Sequence, residues 1–389
     1  MGLPANQAKA SVLLGLGQMM AWATCFYTLG VLAVPMAQGF GLPPNWVYAM
    51  FSVGLLCSGL VSPLAGRLLH RHGGRKLLMT SNLLFAGAQL VLATAHHPAQ
   101  LAAGWVLLCM AMPLGVYEAA FATLVGLYGT NTRPAITVVT VVGGLGSTVA
   151  WPLTAALEQA YGWRWACVFW AAVQVLLALK VHHSVPQDTP SADRPAAEAR
   201  PWTPNDRRNL LLLSLCFVCI AFTFSAMATQ LPRMLELMGM TAFAAVGVAS
   251  LFGVAQLSAR LSDFTVLKRL PPVPMARFSH SLLVCAPLIL LFGGVALAPV
   301  FTITHGVGIG LLTISKGVLP LVLFGPQAYA AMASKAEAWA RYTAALSPYL
   351  FGLAVDSLGV NAMWLYWGMA LLGLAACLNI NAPQPHPAD

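Results

Sequence analysis

Long uninterrupted apolar runs constrain this chain more than any other feature of its sequence. Residues 210–228 and 281–300 contain no Asp, Glu, Lys or Arg. Across all 389 residues, 59% are hydrophobic and only 8% are charged. A soluble globular protein carries roughly 25% charged residues, so this chain has too few charges to cover a water-exposed surface of its size. Its outer surface is therefore expected to face lipid.

The length of the runs decides between the two kinds of membrane-spanning structure. A transmembrane helix needs ~20 apolar residues, whereas the strands of a membrane barrel alternate over segments of ~10 residues. The runs here are long and do not alternate, so the sequence predicts an all-α membrane protein with twelve transmembrane helices. The predicted helices lie near 11–38, 46–69, 75–95, 99–128, 134–160, 164–185, 208–235, 242–265, 275–297, 299–325, 328–356 and 361–380.

The distribution of positive charge indicates the orientation of the chain. The formal net charge is +9, and most of the 20 Lys and Arg residues fall on one side of the predicted membrane. An excess of Lys and Arg marks cytoplasmic loops, so the charge does not indicate a nucleic-acid partner. We expect a multi-pass protein of the plasma membrane, such as a bacterial inner membrane, with the lipid bilayer around it and both termini cytoplasmic.

The chain divides into two related halves. Residues 186–206 are polar and rich in proline, and they predict a cytoplasmic linker between one six-helix bundle over 1–185 and another over 207–389. Gly129 and Gly325 are 196 residues apart, and so are Pro152 and Pro348. This near-constant offset predicts that the two bundles are related by an internal repeat.

A short basic turn over 66–76 lies between the second and third predicted helices. It resembles the pattern G-x-x-x-D-[RK]-x-G-x-[RK]-[RK] of Major Facilitator Superfamily transporters, although His70 stands at the position of the acid. The residues that match the pattern are Gly66, Arg71, Gly73, Arg75 and Lys76. Leu323-Phe324-Gly325, which closes the tenth helix, looks most like bacterial relatives of monocarboxylate transporters.

This resemblance implies a fold, a mechanism and a role for the basic turn. The fold is two pseudo-symmetric six-helix bundles with the substrate site at the interface of the halves. The turn is expected to act as a gating latch, with Gly66 allowing close helix approach and the arginines holding helix carbonyls or acids of the other half. The alternative is that the basic residues only fix topology. The candidate gating residues are Gly66, His70, Arg71, Arg75, Lys76 and Asp263.

Ionisable residues within the membrane are the sharper evidence of function, because such groups are costly in lipid and normally face a cavity or a partner. Glu118, Lys316 and Arg341 lie inside the fourth, tenth and eleventh helices. Glu337 precedes Arg341 by four residues, so the two share a helix face. A structural alternative is a neutral network that pairs Glu118 with Lys316 and Glu337 with Arg341.

These residues predict a solute site with proton coupling. Two cations in the membrane favour an organic anion such as a monocarboxylate as the small-molecule substrate. Protons are expected to be carried by Glu118 and Glu337. The candidate substrate-binding residues are Lys316, Arg341, Tyr27, Gln18 and Tyr117.

Two other functions stay open, and enzymatic chemistry is disfavoured. A proton-driven efflux carrier for drugs or toxic metabolites is the first alternative, although Pro152 comes late for the fifth-helix pattern of such antiporters. A sensor or scaffold would not need membrane charges in both halves. No nucleotide-binding glycine loop, H-E-x-x-H or G-x-S-x-G is present. We expect no enzyme activity, no cofactor and no metal site, and a monomer driven by an ion gradient.

Overall fold

The computed structural model describes residues 4–128, 133–187, 204–265 and 270–381. These residues are almost entirely helical, as lipid requires of segments that must pair their own backbone N–H and C=O groups. The helices are α1 (Ala5–Gly39), α2 (Pro44–His72), α3 (Gly74–Ala93), α4 (Pro98–Tyr128), α5 (Pro134–Tyr161), α6 (Trp163–His183), α7 (Pro204–Leu237), α8 (Ala242–Thr265), α9 (Pro272–Gly293), α10 (298–324), α11 (326–358) and α12 (Met363–Leu378).

The described residues contain ten spans that are long and apolar enough to cross a membrane. The two longest, Pro272–Gly325 and Met332–Leu378, have 54 and 47 residues. Each is long enough for two crossings at 1.5 Å per residue. Short 3₁₀ turns at Gly294–Leu297 and Gly359–Ala362 divide them. The structure is therefore consistent with the predicted twelve helices.

Three direct helix-to-helix turns share one backbone conformation. Gly73 joins α2 to α3 with φ 79° and ψ 161°, and Gly162 joins α5 to α6 with φ 82° and ψ 164°. Gly325 joins α10 to α11 with φ 75° and ψ 169°. A positive φ is readily adopted only by glycine, so each glycine permits a reversal within a single residue. Gly129, the repeat partner of Gly325, lies outside the described residues.

The chain forms two compact units. The first contains Met1–Arg194 together with Ala228–Glu236 and Thr241–Gly253. The second contains the rest of α7 and α8 and all of α9 to α12. Most of the linker predicted over 186–206 lies outside the described residues, so the three-part division of the sequence stays a prediction.

Glycines allow close helix contacts in the first unit. A Cβ atom on Gly54 of α2 would lie 2.9 Å from Cβ of Cys109 on α4, and one on Gly115 of α4 would overlap the Ser81 side chain on α3. Small residues of this kind bring helix backbones together where the hydrophobic effect between helices is absent. The contacts fix α4 against both α2 and α3.

In the second unit a glycine again brings two helices close together, and an arginine caps the end of a third helix. A Cβ atom on Gly310 of α10 would lie 2.8 Å from the backbone oxygen of Gln256 on α8. Arg277 on α9 donates from Nη2 to the carbonyl oxygens of Leu378 and Ile380, both at 3.1 Å. These carbonyls lie at or just beyond the last turn of α12, where a cation is favoured by the helix dipole.

Candidate functional site

Helix α4 is interrupted in the first unit, close to two predicted site residues. Val116 has an extended backbone (φ −92°, ψ −169°) and separates the helical segments Pro98–Gly115 and Tyr117–Tyr128. The interruption leaves carbonyl groups without their usual helical donors. Gln18 on α1 supplies one donor, from Nε2 to the carbonyl oxygen of Gly115 at 2.8 Å. Discontinuous membrane helices are typical of solute-binding regions.

Two buried polar atoms on α1 have no hydrogen-bond partner among the described residues. They are Oε1 of Gln18, an acceptor, and the indole Nε1 of Trp22, a donor. The two residues are four positions apart and therefore share a helix face. Buried polar atoms are normally satisfied by protein or water, so this face offers an acceptor and a donor to a bound solute or water.

Aromatic rings surround this face. The Trp22 ring lies 5.5 Å from the ring of Tyr117, which stacks on Phe121 at 5.3 Å. Tyr27 is buried and its ring meets that of Trp151 edge-on at 5.5 Å. The structure thus brings together three of the predicted substrate-binding residues, Gln18, Tyr27 and Tyr117, around α1, α4 and α5.

The glycine-rich stretch of α5 makes room for these side chains. A Cβ atom on Gly143 would lie 2.7 Å from Oη of Tyr117 and 3.1 Å from Cβ of Gln18. One on Gly146 would lie 3.1 Å from the ring of Tyr27. The sequence showed the glycines but not their partners, so their part in shaping the site emerges only from the fold.

A π-helical turn in α1 carries Tyr27, and two glutamines stabilise it. The turn spans Ala23–Tyr27, and such turns occur frequently at functional sites. Gln89 on α3 donates to the Thr24 carbonyl at 2.8 Å, and Gln174 on α6 donates to Thr24 Oγ1 at 2.7 Å. Gln174 itself begins a second π-helical turn. Neither glutamine was a predicted site residue, although a glutamine inside an apolar run is a usable signal.

Glu118 lies in the first turn of the second segment of α4 and is exposed. It is ten residues before Tyr128 at the end of the helix, which places it about 15 Å along the axis from that end. Peptide N–H groups at a helix start favour a negative charge. The described residues give Glu118 no hydrogen bond or ion pair, so no described group neutralises its carboxylate.

The second unit contains an ion pair between α10 and α11. Lys316 Nζ lies 2.6 Å from Glu337 Oε1, and the two side chains are 27% and 32% exposed. The ammonium group also lies 5.1 Å from the ring centroid of Phe217 on α7, within range of a cation–π contact. Each charge is compensated locally, and both side chains keep part of their surface exposed.

This ion pair differs from the structural alternative in which Glu337 pairs with Arg341. Arg341 shares a face with Glu337 but is exposed, and the described residues give it no ion pair. Glu337 instead pairs with Lys316 on the neighbouring helix. Arg341 therefore remains an unneutralised cation about one turn from the pair.

The close helix contact of the basic turn after α2 is made at Gly74. A Cβ atom on Gly74 would overlap Thr123 on α4, whereas one on Gly66 would meet no described atom within 4 Å. The close helix approach expected at Gly66 is thus found at Gly74. Among the basic residues, Arg75 hydrogen-bonds His183 Nδ1 on α6 at 3.0 Å.

The other candidate gating residues show no latch by themselves. Arg71 and Lys76 are exposed, as expected of residues that face water at a membrane surface. The side chains of His70 and Asp263 lie outside the described part of the chain. The gating role of this turn therefore stays a prediction.

Comparison with known proteins identifies the class. A sequence model described as the Major Facilitator Superfamily matches residues 14–336. The crystal structure of a mutant of the nucleoside transporter NupG is similar with a TM-score of 0.76, at 12% identity, over 96% of this chain and 99% of that one. A search of curated proteins gave no match. The chain belongs to the Major Facilitator Superfamily, and the predicted all-α fold is confirmed.

Family membership gives the coarse function. The protein is a multi-pass membrane protein, and the family and fold support secondary transport of a small solute rather than enzymatic catalysis. The similarity to NupG at 12% identity concerns the fold alone.

Proposed function

We propose that this protein transports a small organic anion, such as a monocarboxylate, by alternating access with proton coupling. The observation that carries the proposal is the ion pair of Lys316 and Glu337 at 2.6 Å. An interior lysine suits a carboxylate solute, because charge in a membrane is stable only beside a partner. Without solute, Lys316 pairs with Glu337. When the solute binds, its carboxylate replaces Glu337 as the partner of Lys316.

Protonation of Glu337 is the coupling step of this proposal. A neutral carboxyl group no longer compensates the Lys316 ammonium, which then favours the carboxylate of the solute. Release of the proton restores the pair and expels the anion. Arg341, exposed and one turn away, adds a second cation that attracts anions. Glu118, exposed at the start of a half-helix, is the second candidate proton carrier.

The first unit supplies groups that suit the rest of such a solute. The unpartnered Gln18 Oε1 and Trp22 Nε1 offer one acceptor and one donor, and the Tyr117 ring offers an apolar surface. Such a combination of a few polar atoms with aromatic walls is typical of small-molecule sites. It suits a short carbon chain or ring attached to the carboxylate.

The proposed setting is the plasma membrane with both termini in the cytoplasm. The basic turn carrying Arg71, Arg75 and Lys76 then lies on the cytoplasmic side, as positive charges there require. The gating role of the turn belongs to this proposal. Its contacts with the α4 residue Thr123 and the α6 residue His183 join three helices that must move together.

Proteoliposome flux tests the proposal directly. Purified protein is reconstituted, and uptake of labelled pyruvate, acetate, choline and uridine is measured with and without an inward proton gradient. The expected result is gradient-driven accumulation of the monocarboxylates, abolished by Lys316→Ala. Accumulation that continues in Lys316→Ala, or transport of uridine or choline alone, contradicts the proposal.

Efflux of a drug or toxic metabolite is the second candidate. The aromatic cluster of Trp22, Tyr27, Tyr117 and Phe121 favours it, because aromatic walls bind flat apolar solutes. The two candidate functions differ in the side of the membrane from which the protein takes its solute. Cells that express the protein and gain resistance to aromatic dyes, with no monocarboxylate uptake, would support efflux.

A further inference from the structure

A cavity lies in the first unit, at the end of α1 opposite Ala5. It has a volume of about 540 Å³ and is lined by the last turns of α1, α5 and α7 and the first turns of α8. Each of the three ending helices contributes a proline, namely Pro35, Pro152 and Pro232. Proline interrupts helical hydrogen bonding and bends a helix, so the three ends can diverge and leave this space. The volume is within the range of small-molecule sites.

Three charged residues line the cavity. Glu158 projects from α5, and Arg233 and Glu236 project from α7. Glu236 lies within electrostatic range of both other groups. Two carboxylates and one guanidinium give a net charge of −1 when all are ionised. The remaining lining residues are uncharged, so the cavity complements a ligand with one positive charge.

Arg233 is held in place by its own contacts and does not cancel both acids. It is only 9% exposed, its guanidinium carbon lies 5.8 Å from the ring centroid of Tyr48, and it donates to Gln230 Oε1 at 3.5 Å. Glu236 is exposed and Glu158 is half-buried. The carboxylates are therefore the groups that a ligand in the cavity meets.

Aromatic groups complete the cavity wall. Phe243 lines it and is 87% exposed, so its ring face is available for a cation–π contact. On the inner side, a Cβ atom on Gly30 would lie 3.1 Å from Trp151 Nε1. That indole N–H is buried and has no hydrogen-bond partner among the described residues.

We infer that this cavity is a binding site for a small organic ammonium ion, held between Glu158 and Glu236 with its alkyl groups against Phe243. A metal ion is a poor fit, since the described residues include no group of three or more metal-ligating side chains. A carboxylate ligand is disfavoured by the net negative charge. The site is distinct from the one proposed for the transported anion.

Binding here has a consequence for the conformation of the first unit. A cation between Glu158 and Glu236 connects α5 to the segment Ala228–Glu236, which belongs to the first unit in this structure. The ligand stabilises that packing, because it binds only where the two carboxylates lie together. An ammonium ligand is therefore expected to slow transport.

Calorimetry on the purified full chain tests the inference, with choline and propylammonium as probes and propionate as the anionic comparison. Wild-type protein should bind at least one ammonium probe. Glu158→Gln/Glu236→Gln should weaken that binding by about tenfold or more, because both carboxylates that attract the cation lose their charge. The control is Asp356→Asn, which removes an exposed carboxylate from α11 of the second unit and should leave ammonium affinity unchanged.

A second variant makes the test independent of the carboxylates. Gly247 lines the cavity, and a Cβ atom there would meet no described atom within 4 Å. Gly247→Leu should therefore fold normally, fill the space and abolish binding. No binding of either probe to the wild type, or binding that persists in Gly247→Leu or in the double variant, overturns the inference. Because propionate affinity is measured separately, failure of the anion proposal would not be confused with failure of this one.

Discussion

Gln18 on α1 donates its side-chain amide to the carbonyl oxygen of Gly115, at the point where α4 is interrupted. This contact joins the two helices that carry the predicted solute-binding residues of the first unit. It also explains how an extended residue, Val116, can persist inside a membrane-spanning helix, because the freed carbonyl has a donor. The Oε1 atom of the same side chain has no partner among the described residues, so Gln18 serves both the fold and the site.

Loss of the Gln18 donor is expected to destabilise the protein. Gln18→Met keeps the length of the side chain but leaves the buried Gly115 carbonyl unsatisfied, which costs about 1–3 kcal/mol. Thermal unfolding of the purified protein should show a lower Tm. Gln159→Met is the control, because Gln159 is exposed and should change stability by less than about 0.5 kcal/mol. Equal Tm values for Gln18→Met and Gln159→Met would contradict a stabilising role for the hydrogen bond from Gln18 to the Gly115 carbonyl.

The two glycines of the basic turn should differ in their tolerance of substitution. Gly74→Ala places a methyl group on Thr123, and overpacking of this kind costs about 1–3 kcal/mol. Gly66→Ala meets no described atom within 4 Å and should be neutral. Yield of folded protein by size-exclusion chromatography, together with Tm, measures the difference. A larger loss of stability in Gly66→Ala than in Gly74→Ala would mean that the close helix contact lies at Gly66, as the sequence predicts.

The room that Gly143 leaves for Tyr117 should matter for solute affinity. Gly143→Ala forces Tyr117 to move, since the added Cβ atom would lie 2.7 Å from its Oη. We expect the KM for uptake to rise by about tenfold, a change of about 1.4 kcal/mol, with the fold retained. Gly87→Ala on α3, where the space is open, should leave KM unchanged. An unaltered KM in Gly143→Ala would mean that Tyr117 does not contact the solute.

Helix positions were largely predictable from the sequence, whereas the interruptions and the charge pairs were not. The span predicted for the eighth helix, 242–265, coincides with Ala242–Thr265, because apolar runs ending at polar residues mark membrane boundaries. The break at Val116 follows Pro113 and Gly115, a weak signal that many continuous helices share. The partner of Lys316 depends on the rotation of α11 about its axis. A constant repeat offset carries no information on that rotation.

The predicted orientation can be checked at the linker. Ser191 belongs to the segment 186–206, and the excess of Lys and Arg on this side of the predicted membrane predicts that the segment is cytoplasmic. Ser191→Cys, in a background with the eight native cysteines replaced, should not react with a membrane-impermeant maleimide in intact cells. It should react after the membrane is permeabilised. Labelling in intact cells at the rate of an external control cysteine would reverse the topology.

The pH dependence of anion binding tests the exchange at Lys316. If a proton on Glu337 releases Lys316 for the solute, acidification should raise the affinity for a monocarboxylate, and alkalinity should lower it. Glu337→Gln mimics the protonated state permanently, so its anion affinity should stay high and lose most of its dependence on pH. Lys316→Ala should bind no anion at any pH. These affinities are measured by titrating labelled pyruvate onto protein in detergent.

A charge exchange separates this role from a purely structural one. Lys316→Glu/Glu337→Lys preserves the ion pair between α10 and α11, so it should restore folding if either single variant misfolds. It moves the cation to the other helix, away from Phe217, and should therefore leave anion affinity at least tenfold weaker than in the wild type. Full recovery of both folding and affinity would mean that any cation in this region suffices. A Glu337→Gln protein whose affinity still rises with acid would assign the coupling proton to another group, for which Glu118 is the remaining candidate.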